Sequence, residues 1–299
     1  DKPTLPLSEA LDAYWPLVRD EIAHKTEHAA RKWRNPRAMA FKNFMKITGD
    51  KDIAAISRSD VLKFREWLMD RITSGLHGNS ANRQMQNVKN VLRVVGNAYE
   101  VDIDFDELFR KTRFKDKKNQ RQAFTAEYIQ DTLLAPDNLA GLNEQCRLLV
   151  MAMADTGARE SELIGLESGD IVLEREVPYI WIRENAKSGL KVEHAERCIP
   201  LVGSALAAFQ QIPDGFSYQT ADSASNIINN YWRDRDLRPS QAYSLYSLRH
   251  AFKDRLRDIG APEEMIDELM GHKKSGPLYG RGHTLAKKRA WLNQIAFSV

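Results

Sequence analysis

Only two cysteines, Cys146 and Cys198, occur in the 299 residues, too few for a disulfide framework or a cysteine-based zinc site. Cys146 lies in the apolar run Cys146-Arg-Leu-Leu-Val-Met and reads as a small buried hydrophobe, so a cytoplasmic setting is expected. No apolar run approaches the roughly 18–20 residues that a membrane span requires. Neither a methionine nor a charged-then-apolar leader opens the chain at Asp1; it reads as part of a longer protein, trimmed of an N-terminal module. Internal repeats and low-complexity tracts are missing too. The basic motifs have no cluster of carboxylates around them, which argues against a metal-dependent nuclease. His24 and His28 stand four apart with Lys25 and Glu27 between them and no third ligand nearby, a solvated helix face rather than a metal pair.

Excess charge is scarce as well. The net charge is +3, with a hydrophobic fraction of 42% and a charged fraction of 28%, the balance of a globular protein. The length suits two domains. The charges are unevenly spread: residues 1–122 carry 24 basic and 17 acidic side chains, the remainder 20 and 24. A basic half is what tracking a polyanion requires, although a solvated helical surface has the same composition.

The first half reads as helices. Leu11, Tyr14, Trp15, Val18 and Ile22 recur at helical spacing, as do Val61, Phe64, Trp67 and Leu68 with Ser59 as N-cap. A third helix is predicted over Ala81 to Val95, capped by Ser80 after a loop at 75–80, burying Met85, Val88, Leu92 and Val95. Its other face carries Arg83, Gln86, Asn90 and Arg93, candidates for reading base edges. The stretch 110–121 is charged and poorly apolar, the composition of a linker whose Lys117, Lys118 and Arg121 could follow a phosphate backbone. The expected division is 1–112 for a helical domain, 113–123 for the linker and 124–299 for a second domain.

The second half is mixed. Thr125 is a predicted N-cap, and the helix through Leu148 to Ala154 should stop at Gly157 in a left-handed cap. A short helix follows from about Glu160 to Leu166. Asp170–Leu173, Val177–Arg183 and Arg197–Leu201 read as strands, with a turn at 187–191 between the last two. Helices resume near Ala205, Ser225, Ser247 and Pro262.

Within this half, Thr156-Gly157-Ala-Arg159-Glu-Ser-Glu162-Leu163 places Arg159 at a helix start, where a guanidinium can fork onto a phosphate. Glu162, one turn on, can orient it, though an ordinary surface ion pair has the same spacing. Arg249 lies early in the helix Ser247 to Asp258, and His272 stands just past the next helix, which Gly271 ends. Tyr279 follows, flanked by Lys273, Lys274, Gly276, Gly280, Arg281 and Gly282, unlike the setting of a core tyrosine. Two arginines, a histidine and a tyrosine can grip a phosphodiester and attack it with a phenolic oxygen.

On these elements, with Leu248-Arg249-His250-Ala-Phe, Gly271-His272 and Tyr279 in order, the chain resembles a tyrosine recombinase of the phage-integrase type along nearly its whole length. The resemblance implies a mostly α fold with a small antiparallel sheet (α+β). It implies a helical, SAM-like core-binding domain and a catalytic domain, forming a C-shaped clamp on duplex DNA. It makes Tyr279 the nucleophile of a 3′-phosphotyrosyl intermediate and sets Arg159 and Arg249 on the non-bridging oxygens. Lys187 matches the hairpin lysine that protonates the 5′-oxygen, with Lys191 on the same turn as the alternative. His272 bonds the phosphate and Glu162 supports Arg159. No metal, nucleotide or other cofactor is implied, because the covalent link conserves the phosphodiester energy.

Two features depart from the family pattern. Tyr246 stands three residues before Arg249, where the family usually has histidine, and a phenol with an ordinary pKa near 10 is a poor base at neutral pH. His250 is adjacent to Arg249 but about 100° around the helix. His272 and Tyr279 are also about two residues closer than is usual. The tail, with Leu285, Trp291, Leu292, Ile295 and Phe297, would expose an apolar face as a lone helix. Residues 285–299 are expected either to dock on a neighbouring protomer of a DNA-bound tetramer or to fold back in cis. The implied partners are double-stranded attachment sites, three further copies of the chain and an accessory DNA-bending protein, with no membrane. The implied setting is the nucleoid of a bacterium, or a phage or other mobile element. A catalytically silent DNA-binding relative and a type IB topoisomerase are the competing readings.

Overall fold

A computed structural model describes residues 5–23, 25–116, 121–185, 196–218, 220–272 and 282–298. The chain divides into two compact units, residues 1–118 and 119–299. The fold is mostly helical with one small antiparallel sheet, the expected α+β class.

The first unit consists of α1 (Leu7–Leu17), α2 (Glu27–Thr48), α3 (Arg58–Thr73), α4 (Gly78–Ala98) and the short α5 (Phe105–Leu108). Its core is aromatic: Phe41 and Phe44 of α2 lie 6.4 Å apart, and Phe44 meets Phe64 of α3 edge to face at 5.4 Å. The helix α2 has no counterpart among the helices read from the sequence. Pro36 interrupts its pattern, and its buried residues are confined to its second half. The N-cap of α3 is Ser57, not Ser59: Ser57 and Asp60 bond each other's backbone amides in a capping box. Likewise α4 starts at Gly78 without a side-chain cap, so Ser80 lies inside the helix. Packing sets that start, because a Cβ on Gly78 would stand 2.9 Å from the Lys115 carbonyl. Met85, Val88, Leu92 and Val95 are buried as the periodicity requires.

Residues 112–114 are held against these helices. Asn82 of α4 bonds both the amide and the carbonyl of Phe114, at 2.8 and 3.0 Å, and Arg65 of α3 donates to the Thr112 carbonyl at 3.1 Å.

The second unit begins with α6 (Ala126–Tyr128), capped by Thr125, which runs into a π-helical turn at Ile129–Leu133. Then come α7 (Pro136–Leu139), α8 (Glu144–Thr156) and α9 (Glu160–Ile164). The sheet follows, β1 (Ile171–Val172), β2 (Tyr179–Ile182) and β3 (Arg197–Pro200), all antiparallel with Ile180 between Ile171 and Ile199. The helices α10 (Gly203–Gln211), α11 (Ala221–Asp234), α12 (Ser247–Asp258), α13 (Glu263–Met270) and α14 (Leu285–Leu292) complete it. The core centres on α8, every residue of which from Leu148 onward is buried. Gly157 closes α8 at φ 59°. A Cβ there would stand 2.3 Å from the Phe252 ring, so glycine is what lets α12 approach.

The tail lies in cis, the second of the two alternatives. Leu292 and Phe297 are buried in the unit's own core. The Phe297 amide donates to Asp155 at 3.1 Å, and Arg255 donates to the Ile295 carbonyl at 2.5 Å while packing over the Phe297 ring. The apolar face that would need a partner on a lone helix is covered here. Among the described residues no helix is long and apolar enough to cross a membrane.

Candidate active site

The second unit brings Arg159, Glu162, Tyr246, Arg249 and His272 to one place. Arg159 is the N-cap residue of α9. Its amide and guanidinium both donate to Glu162, at 2.8 and 2.6 Å. Glu162 is only 8% exposed. Burial opposes its charge, but Arg197 and then Arg159 outweigh this and hold the carboxyl at about 2, against an ordinary 4.5. For Arg159, burial works against the cation, while Glu162 and the hydroxyl of Tyr246 more than restore it.

Arg249 is 2% exposed, and among the described residues no carboxylate is one of its hydrogen-bond partners. It donates to the Gly157 carbonyl at 2.6 Å and to the Met270 carbonyl at 2.5 Å, and its Nη2 lies 3.4 Å from His272 Nε2. Burial first, and Arg159 second, bring its pKa down to about 10, so it stays charged at neutral pH. Glu162, Arg197 and Tyr246 act on it as well, which marks these side chains as sharing one pocket. Carbonyl dipoles solvate this charge without cancelling it, and that leaves the pocket receptive to an anion.

His272 follows Gly271, which ends α13 in the left-handed region at φ 61°. Its Nδ1 lies 3.3 Å from Asp267. Both ring contacts are met by the tautomer protonated on Nδ1, with Nε2 accepting from Arg249. Burial, then Arg249 and Lys253, lower its pKa despite Asp267, which favours the uncharged ring. Protonation on phosphate binding would turn Nε2 into a donor.

Tyr246 precedes α12 and is half-buried. Arg121 lies over its ring at 5.0 Å, and His250 meets it edge to face at 5.4 Å. His250, remote from Arg249's side of the helix, is thus part of the same surface, because four residues from Tyr246 is one turn. Burial and Arg121 lower its pKa.

Lys187 and Lys191, Tyr279, and Lys117 and Lys118 lie outside the described residues, as does His24. Among the described residues no group of three or more His, Cys, Asp or Glu could hold a metal ion.

Three supporting residues are additional to those read from the sequence. Arg197 forks onto Glu162 at 2.8 and 3.3 Å. Its signal was strand phase: it alternates with Cys198 onto the face of the buried Ile199, and an inward arginine demands a carboxylate. Asp267 orients His272. Its neighbour Glu268 accepts from the His283 amide at 3.1 Å and pairs with Lys288 of α14 at 3.3 Å. These acidic neighbours on α13 thus hold His272 and His283, which flank the tyrosine segment in sequence.

In the first unit, Arg83, Gln86 and Arg93 are exposed on α4, with Gln86 donating to Asn90 at 2.8 Å. A cavity of about 430 Å³ opens beside this strip, lined by Asn82, Arg83, Gln86, Lys89, Lys111 and Arg113 among others.

No protein-family model matches the sequence, and comparison with curated proteins finds no match. Solved structures do match. A lambda integrase dimer bound to a COC′ core site is similar at TM-score 0.66 and 15% identity, over 92% of this chain and 76% of that one. A lambda integrase tetramer bound to a Holliday junction gives 0.65 and 15%, over 91% and 76%. The Tn1549 transposon integrase in complex with transposon right end DNA gives 0.56 and 16%, over 94% of each chain. The fold of this chain is therefore that of the tyrosine recombinases.

Proposed function

We propose that the chain is a site-specific DNA recombinase that cuts and rejoins duplex DNA through a 3′-phosphotyrosyl intermediate. The observation that carries the reading is the buried Arg249, held by two carbonyls and beside Arg159, Tyr246 and His272. Such a cationic cradle fits a phosphodiester and the charge that grows on it in the transition state. Arg159 and Arg249 take the non-bridging oxygens, and Tyr246 and His272 add hydrogen bonds. The Tyr279 hydroxyl releases its proton to solvent as its oxygen attacks phosphorus, the P–O5′ bond breaks, and Lys187 gives the departing 5′-oxygen its proton. Attack by a 5′-hydroxyl on the phosphotyrosine reverses these steps and joins strands, with no cofactor consumed.

In this reading residues 1–112 are the core-binding domain and 124–299 the catalytic domain, joined through the basic stretch 113–123. The strip Arg83, Gln86, Asn90 and Arg93 meets base edges, while Lys117, Lys118 and Arg121 meet phosphates. Lambda integrase has been seen as a tetramer on a Holliday junction; four copies of this chain act likewise on paired attachment sites, passing the tail 285–299 from its cis seat to a neighbour. An accessory DNA-bending protein assists. The setting is the cytoplasm and nucleoid, serving a phage or other mobile element.

The test is covalent trapping. A duplex selected by the chain from a random-sequence pool is nicked beside the cut site, and wild type is compared with Tyr279→Phe on a denaturing gel without divalent metal. A protein–DNA band with wild type only supports the reading. Tight binding with no adduct at any pH favours the second reading, a silent DNA-binding relative, which Tyr246 in the usual histidine position supports.

A further inference from the structure

Arg197 occupies the first position of β3, and its side chain is 4% exposed. A buried guanidinium is costly unless its donors are met, and these reach two separate elements. Nη2 and Nη1 donate to Glu162 Oε2 and Oε1 at 2.8 and 3.3 Å, while Nε donates to the Leu269 carbonyl at 2.8 Å. The fit is close: a Cβ on Gly271 would stand 2.6 Å from Nη1. One planar group therefore spans α9, whose N-cap is Arg159, and the end of α13, from which His272 emerges.

We propose that Arg197 is the positioning residue of this site. It sets Arg159 by holding Glu162, and sets His272 by holding the last turn of α13 at Leu269 and Gly271. It does not touch the substrate. Lysine cannot replace it, because an ammonium is a point charge and lacks the fork that serves a carboxylate and a carbonyl together. Without Arg197, Glu162 loses two of its four hydrogen bonds and is left to swing with Arg159. The inference rests on the phosphodiester reading only for the identity of the oxyanion that the pocket receives.

The full chain is compared as wild type, Arg197→Met and Arg197→Lys. Three quantities are measured: affinity for the pool-selected duplex, affinity for orthovanadate as a small phosphate-like probe, and the rate of adduct formation on the nicked duplex between pH 4 and 8. For Arg197→Met the expectation is duplex affinity within about threefold of wild type, at least about tenfold weaker vanadate binding and about 100-fold slower adduct formation, the scale of a small misplacement of reacting groups. Its rate should also fall on the acid side, between about pH 6 and 4, as Glu162 returns toward ordinary carboxylate titration; the wild-type rate should show no such loss from this group. Arg197→Lys, which keeps the charge if Met does not fold, should restore duplex binding and cooperative melting but leave the rate well below wild type. Equal vanadate affinity, rate and pH profile in all three proteins would overturn the inference. So would a loss of duplex binding and melting temperature in proportion to the rate, which marks a merely structural residue, or the absence of vanadate binding in wild type. If wild type binds vanadate yet forms no adduct, the strand-cutting reading fails while the vanadate comparison still decides the role of Arg197.

Discussion

Glu162 accepts four hydrogen bonds, two from Arg159 and two from Arg197, so its removal would leave two guanidiniums without their carboxylate. Breaking a buried pair in this way costs about 3–5 kcal/mol, and Glu162→Gln should lower the urea midpoint accordingly. The pH dependence follows from the depressed pKa. Its contribution to stability is complete above the ordinary 4.5 and is lost as pH falls toward the folded value of about 2. The gap in unfolding free energy between wild type and Glu162→Gln should therefore shrink by about 2 kcal/mol between pH 6 and pH 3. Tyr246 presents a different case. Its hydroxyl faces Arg159 and supports that cation, so Tyr246→Phe should slow adduct formation by about tenfold, the worth of one hydrogen bond to the bound phosphate, whereas Tyr246→His should not lower the rate. Arg159, Glu162, Arg249 and His272 were legible because the residue types and helix punctuation both point to phosphate binding. Arg197 was not, since a lone arginine in a short strand reveals its depth only once strand phase is known. His250 is Arg249's neighbour in sequence but Tyr246's neighbour on the helix face, and only the second relation makes it part of this surface.

Helix ends do most of the positioning. Gly157 ends α8 and offers its carbonyl to Arg249, and Gly271 ends α13 beside Arg197. Gly157→Ala would force a Cβ into the Phe252 ring from a left-handed backbone. Overpacking and the lost conformational freedom together should cost about 2–4 kcal/mol, read as a lower melting temperature, and adduct formation should fall further because α12 carries Arg249. The sequence marked both glycines, because a left-handed cap has few alternatives. It was less informative about N-termini. Both Ser57 and Ser59 suit an N-cap, but only Ser57 has an acidic residue three positions on, the spacing of a capping box. The start of α4 is set by the chain packed against Gly78, a contact distant in sequence. The helix α2 is polar through its first half and contains Pro36, so periodicity fades where most of its surface is solvated.

The two units differ in charge as well as structure: 23 basic against 17 acidic side chains in residues 1–118, and 21 against 24 in residues 119–299. The first unit, expressed separately, should bind duplex DNA with an affinity that falls steeply as salt rises, because neutralising each phosphate releases counterions. Each unit has its own hydrophobic core. The tail is part of the second core, so truncation at residue 285 would remove stability together with any role in assembly. Phe297→Ala is the cleaner change; it should cost about 3–5 kcal/mol by leaving a cavity beside Arg255, measurable by urea unfolding of the lone protein. The claim on which the account rests is that a phenolic oxygen of this chain becomes covalently joined to DNA. Protease digestion of the trapped complex, followed by mass spectrometry of the nucleotide-bearing peptide, identifies the atom's owner. The account predicts the nucleotide on Tyr279, linked through a 3′-phosphate; a nucleotide on another tyrosine, on a serine, or on no residue would contradict it.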